Sequence, residues 1–409
     1  MPTTYQTSYA LDEVGTVPLT YQVGQYGYAA ALDFPMAARG VLADIDFDFQ
    51  NGRYYQAGQG VDPLVLTTTS RASTAYADNL AGEWSAFLSN VPRITNKGLL
   101  VEETRTNVVL WNRDLTNVAW TASNVTVAKD QTGIDGTATS ASSLTATAGN
   151  GTVLQAITLA SSARFQSAFV KRITGSGVVN MTMDNGATWT AVTVTSVWTR
   201  VAIPTQTLAN PTVGFRIVTS GDAIAVDFVQ NENNSVFATS PILVTTVAVA
   251  RAADVVTVTT PPIFGASCTL FGRGTPVAPI TLTAEQDIIS INDGTNNNNF
   301  RLLRNATTGA VLENYRVGAA GATASSGSAW ATSASGKVAA AGASGDQAVS
   351  FNGASVGVNT FAGSLGGVAN VVNIGTSAAG AVPFRGYVER VALWSTTRLS
   401  NADLQRITR

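Results

Sequence analysis

The sequence predicts an all-β protein, a small N-terminal region followed by two β-sandwich domains of jelly-roll or lectin-like type. Short runs rich in Val, Thr, Ile and Phe alternate with Gly, Asn, Asp and Ser clusters at intervals of roughly 8–12 residues, the rhythm of an antiparallel sandwich. Inside those runs apolar residues recur at every second position, which puts them on one face of a strand. In the C-terminal half a helix start signal stands out once, at Ser400.

In the first region, residues 1–107, TYQVGQYGYAAALDFP is aromatic and punctuated by glycine. The segment GVLADIDFDF then alternates Ile45, Phe47 and Phe49 with Asp44, Asp46 and Asp48, a strand with one buried face. The second domain spans residues 108–250. Met181 to Met183 form a strand entering a turn at Asp184-Asn185-Gly186, because Asn-Gly tolerates the positive φ a hairpin needs, and residues 188–194 return antiparallel. Val213, Phe215 and Ile217, then Ile224, Val226 and Phe228, place one face inward on each of two further arms, with SGD as the turn between them. The third domain, residues 251–409, contributes strands in CTLFGRG, ITLTA, DIISIND, NFRLLRNA, ENYRVGA, GKVAAAGASGDQAVSFNG, VVNIGTS and VERVALW, and ends in a short helix capped by Ser400. Residues 318–336 read either as a small-residue linker or as a long loop or edge strand.

Composition removes much chemistry. There is no histidine, so neither a Ser-His pair nor an imidazole metal ligand exists, and the single thiol, Cys268, forms no internal disulfide. Cys268 reads as a small buried apolar residue. Charged residues make up 12% of the chain against a hydrophobic share of 45%, so the polar surface comes from Thr, Ser, Asn, Gln and Gly and suits packing against further copies. A net charge of -2 argues against nucleic acid, no apolar run spans a bilayer, and the N-terminus lacks the pattern of a secretion signal.

SRASTAYAD at 70–78, NVPRI at 90–94 and GLLVEETRTN at 98–107 stand in an order that resembles a module of tailed-bacteriophage structural proteins of tail-fibre and head-spike type. FATSPILVTT followed by RAADVVTV (237–258) is similar to the junction those proteins place after a carbohydrate-binding-like sandwich. The ending GYVERVALWSTTRLSNADLQRIT (386–408) and DQAVSFNGASVG (346–357) are similar to their laminin-G or concanavalin-A-like domain. The resemblance implies a virion structural protein made in the bacterial cytoplasm, a fibre or spike that projects from the particle and adheres to host-surface glycans. It implies a homo-oligomer, most simply a trimer, docked on other virion proteins through residues 1–40, from Met1 to Gly40. The alternative is a head spike or capsid decoration protein with no sugar binding, and the remote alternative a polysaccharide-degrading enzyme.

Candidate site residues are few. A pyranose stacks its apolar face on an aromatic ring, which selects Trp189, Trp198 and Trp330, whereas Trp111, Trp120 and Trp394 read as core. Asp287, Asp293 and Asn296 offer oxygen ligands suited to Ca²⁺, and Asp44, Asp46 and Asp48 share one strand face where a cation is conceivable. Asp222 reads as a turn residue and Asp227 as an outward carboxylate. Glu102 and Glu103 are neighbours on an extended chain and face opposite ways, so they cannot act as a glycosidase pair; local ion pairing or packing with Arg93 and Arg105 is expected. The chain is expected to be no enzyme.

Overall fold

The computed structural model describes residues 37–38, 40–280 and 284–409. Nearly all of its regular structure is β. The expected docking segment therefore lies almost wholly outside the described residues, as does most of ITLTA.

One sandwich packs a ten-stranded sheet against a seven-stranded sheet. The ten-stranded sheet runs in the order Gly357–Asn359, Asp346–Phe351, Gly336–Ala343, Ser267–Pro276, Gly386–Trp394, Ile45–Asp48, Arg53–Gln56 and Gln59–Gly60, with Gly98–Val101 and then Ile94–Thr95 branching from Gly386–Trp394. Gly386–Trp394 is long enough to pair with Ile45–Asp48 at one end and with Gly98–Val101 at the other. The seven-stranded sheet runs Ala320–Ala329, Ala310–Val317, Asn299–Arg304, Gln286–Asn292, Val371–Ile374, Val255–Val258 and Thr67–Ser70. Strands from residues 1–107 and from residues 251–409 thus share both sheets, and Phe47, Leu99, Val256, Ile289, Phe300 and Leu393 meet in one core.

The second sandwich is threaded between those two halves. Its seven-stranded sheet holds Val125–Gln131, Ala141–Ala146, Ser162–Thr174, Thr199–Leu208 and Ala223–Asn233, and its five-stranded sheet runs Thr121–Ser123, Gly151–Ala156, Thr212–Ile217, Val179–Thr182 and Thr190–Val192. The expected turn forms, with Asn185 and Gly186 at φ 59° and 80°, and Val179–Thr182 pairs antiparallel with Thr190–Val192. Val213, Phe215, Ile217, Ile224 and Val226 all point into the core. Their two strands do not form a hairpin, however: the turn at 219–221 carries the chain from the five-stranded sheet to the other one, where Ala223–Asn233 pairs with Ala141–Ala146 and Ser162–Thr174. Phe228 departs from the alternation. It adopts φ 43°, Val229 takes the core position, and Phe228 packs under the Arg113 guanidinium, 4.2 Å from its ring centre.

Helix Asn401–Ile407 is capped by Ser400, whose Oγ accepts the Asp403 amide at 3.2 Å. Its Leu404 packs with Trp394, Ala392 and Ala339 on the outer face of the ten-stranded sheet, so that sheet is covered on both sides. Residues 320–329 resolve the linker alternatives in favour of an edge strand.

The chain crosses between the sandwiches twice, and the two crossings pair as Arg105–Asn107 with Val249–Arg251. Beside them lies a cluster of buried charges. Arg71 donates to Asp254 at 2.9 Å, Arg93 pairs with Glu102 at 2.7 Å and with the other oxygen of Asp254, and Arg251 pairs with Glu102. Ser240 joins the cluster by donating its amide and hydroxyl to Glu102 at 2.8 and 2.6 Å, and the Glu102 amide donates to Asp254 at 3.0 Å. Arg71 also binds the carbonyls of Ser73, Leu88 and Val91. Glu103 points the opposite way, as the strand alternation requires, and pairs with Arg105 and Arg385. The hairpin of Ala75–Asp78 and Trp84–Phe87 leans on the inserted sandwich, with Tyr76 edge-on to Phe228 at 4.8 Å and Trp84 edge-on to Phe169 at 5.2 Å.

Burial alone would raise the Glu102 pKa, but Arg251, Arg93 and the Ser240 hydrogen bonds outweigh it and hold the carboxyl below the usual range. A depressed folded-state pKa stabilises the fold above the unfolded value of 4.5, and that contribution is lost as pH falls below it. Glu102→Gln leaves Arg251 without its carboxylate and Arg93 with Asp254 alone, and should cost about 3–5 kcal/mol in urea unfolding, with a weaker acid dependence than the parent protein. Lys97→Gln, which removes the half-exposed partner of Asp78, should cost less than about 1 kcal/mol.

Candidate functional site

On the five-stranded sheet Val153, Phe215 and Met181 fill the core, so their strand neighbours face outward. The register aligns Ser123, Thr152, Arg216, Asn180 and Ala191 in one row across all five strands. The next row holds Thr121, Leu154, Gly214 and Thr182. Gly214 is required here because a Cβ would meet the Val153 carbonyl oxygen at 2.1 Å; Leu154 leans over the vacated space. Trp189, just before Thr190–Val192, packs on the turn at Gly186 and lies under Arg216, whose guanidinium stands 4.6 Å from the ring centre. Asn180 fixes that guanidinium by accepting from Nε and Nη2 at 3.3 and 3.2 Å. The result is a platform: a stacked planar pair held by the buried Asn180 amide, a half-exposed leucine, and the hydroxyls of Thr121, Ser123 and Thr152 in register, with Thr182 buried beneath. Such a surface can cover the apolar face of a sugar ring and hydrogen-bond its hydroxyls.

The three selected tryptophans do not come together. Trp189 belongs to this platform. Trp198 precedes Thr199–Leu208 on the other sheet of the same sandwich, half-buried under Lys171 at 5.1 Å. Trp330 is 1% exposed, packed between Phe351 and Phe384 with its Nε1 donating to the Ala334 carbonyl, so its ring faces no ligand. Trp120 and Trp394 are core residues and Trp111 is partly buried against the core. Sequence reasoning missed Arg216 and Asn180, although their outward parity beside Phe215 and Met181 was available as a signal.

The oxygen ligands proposed for Ca²⁺ are also separated. Asp287 is the second residue of Gln286–Asn292 and Asp293 lies beyond its end, about 20 Å apart at the rise of a strand. Asp287 is fully buried and paired with Arg301 at 3.1 Å, and burial lifts its pKa to about 7 against the pull of that arginine. Asp293 instead closes a surface turn by accepting from Thr295 and Asn298, and Asn296 gives its carbonyl to Asn299. Asp46 and Asp48 are buried beside Arg390, with Asp46 bound at 2.8 and 2.6 Å, and Asp44 accepts the Ser395 amide. Asp222 serves its turn, accepting from Gly177 at 2.7 Å and pairing with Arg172. Asp227 is not solvent-facing: it is fully buried under Arg113, which reaches it at 2.7 and 3.0 Å. Among the described residues no group of three or more Asp, Glu or Cys side chains is gathered to hold a metal ion. Cys268 is buried, and burial pushes its thiol up to about 12.

No protein-family model and no curated protein matches the chain. Among solved structures it is similar to the CBM40 of the Ruminococcus gnavus IT-sialidase, at 18% identity and a TM-score of 0.29, over 35% of this chain and 83% of that one. It is similar to domain 4 of AbnA, a GH43 extracellular arabinanase from Geobacillus stearothermophilus in complex with arabinotriose, at 12% identity and a TM-score of 0.32, over 43% and 84%. A third likeness, to domains LG4-5 of the mouse laminin alpha1 chain, has 10% identity and a TM-score of 0.25, over 62% and 88%. Likeness at this level assigns no function.

Among the described residues Glu313, like Glu232, is a buried acid outside the ion pairs. Glu313 faces inward between Val311 and Tyr315, accepts the Ala324 amide at 3.0 Å and a hydrogen bond from Asn359, and leaves Oε2 without a partner. Burial lifts its pKa to about 8. A raised folded-state pKa favours the fold below the unfolded value of 4.5 and loses that benefit as pH rises through about 8. Thermal and urea unfolding of Glu313→Gln should therefore fall less steeply than the parent above pH 4.5, by up to about 1.4 kcal/mol per pH unit for the one proton removed. An identical slope would show that Glu313 ionises normally.

Proposed function

We propose that the chain is a structural protein of a tailed-bacteriophage virion, a tail fibre or spike whose inserted sandwich adheres to host-surface glycans. The observation that carries the adhesive part is the outward stack of Arg216 on Trp189, held by the buried Asn180 and built on a rigid sheet and not on a loop. The virion part is supported by the module resemblance at 70–107, whose arginines and glutamate are the residues that tie the two sandwiches together. Homo-oligomerisation, with trimers as the simplest form, follows from the low-charge surface and the same resemblance. Residues 1–40 dock on other virion proteins, and no catalytic step is assigned.

A second reading, a head spike or decoration protein with a purely architectural role, is favoured by the burial of Trp330 and by the cover that Arg216 places over Trp189. A glycan panel drawn from host envelopes separates the two. The adhesive reading expects saturable binding that Arg216→Ala and Trp189→Ala each weaken roughly tenfold, about 1.4 kcal/mol, at unchanged melting temperature. Absence of binding across the panel favours the architectural reading, and immunogold labelling of intact particles then places the protein on tail or head.

A further inference from the structure

Between the two sandwiches lies a cavity of about 70 Å³, whose lining includes Trp84, Arg200, Arg385 and Tyr387 together with Glu102 and Glu103. It adjoins the buried charge cluster, and most of the cations around it are matched. Arg93 and Arg251 face Glu102, Arg71 faces Asp254, and Arg105 and Arg385 share Glu103. Arg200 differs. Among the described residues it has no carboxylate at ion-pair distance, and its Nη2 donates to Ser167 at 3.0 Å; its Nε, like those of Arg93 and Arg251, is shut off from solvent with no hydrogen-bond partner. The nearby acid, Glu232, spends its oxygens on the Thr239 amide and hydroxyl, and burial shifts its pKa up.

Arg200 stands 5.5 Å from the Phe169 ring centre, and Trp84 packs edge-on to the same ring, so the guanidinium and the indole are held by one support. A desolvated cation with an unfilled donor is costly to the fold. A planar anion with two oxygens matches the guanidinium fork and offsets the charge. The cavity exceeds the roughly 10–15 Å³ that one water needs, and it admits a carboxylate group while leaving a larger body at its mouth.

We propose that this cavity is a carboxylate-binding site, with the anion seated on Arg200 and the group that bears it resting against Trp84. The carboxylate belongs either to an acidic sugar or to a free organic acid, and the site does not depend on the sheet platform described above. Titration of the full chain with sodium glucuronate, sodium acetate and glucose, at ionic strength held constant with sodium chloride, tests it by calorimetry and tryptophan fluorescence. The expected result is saturable binding of glucuronate and no response to glucose. Arg200→Gln should weaken binding at least tenfold, on the scale of a lost charged hydrogen bond. Arg200→Lys, which keeps the charge and loses the fork, should also weaken it, and carries the test if the glutamine variant fails to fold. Glucuronate bound more tightly than acetate, with the difference erased by Trp84→Phe, identifies an acidic sugar; equal affinities identify a simple carboxylate site. No saturable response to either acid, or one that both Arg200 variants leave unchanged, overturns the proposal.

Discussion

Five buried charged side chains, Arg71, Arg93, Glu102, Arg251 and Asp254, hold together a chain that leaves one sandwich, builds a second, and returns. Three precede the excursion and two follow it. None is well solvated, so each depends on the others for compensation, and the desolvation cost is recovered only when both crossings are in register. Arg105 opposite Arg251 fixes that register on the backbone side. The hairpin that carries Tyr76 and Trp84 extends the same junction onto the inserted sandwich through aromatic contacts.

This interlock explains why a protein with so few charges buries so many of them. The surface keeps its neutral Thr, Ser and Asn character, and the ionic groups act at the places where the chain must be told which sandwich it belongs to. Arg390 beside Asp46, Arg113 beside Asp227 and Arg301 beside Asp287 repeat the device inside single sandwiches. The platform on the five-stranded sheet uses an arginine differently: Arg216 is fixed by an amide and a ring, with no carboxylate at ion-pair distance among the described residues.

Local rules made the strands, the Asn185-Gly186 turn and the final helix legible, because period-two burial, positive φ and Ser capping each act within a few residues. Partnership across the chain was not legible. Nothing near Asp46 announces Arg390, which lies 344 positions away, so a carboxylate face that looks solvated in sequence is buried in the fold. The turn at 219–221 has hairpin composition, yet which sheet receives the following strand depends on Ala141–Ala146 and Ser162–Thr174. Trp330 sits in a run of small residues that hides its burial, because the ring is packed by Phe351 and Phe384 from elsewhere. Arg216, Asn180 and Glu313 could have been found from strand parity alone, since the first two alternate with residues that fill a core and Glu313 shares the parity of Val311 and Tyr315, which do.

Native-state hydrogen exchange at the Glu102 and Ser240 amides tests the interlock most directly, because both donate into the buried cluster from opposite sides of the inserted sandwich. If the cluster holds the two sandwiches as one cooperative unit, these amides exchange only through the global opening that also exposes core amides such as Phe47 and Val391. Exchange of Glu102 and Ser240 through a much smaller local opening, with the core amides still protected, would contradict it.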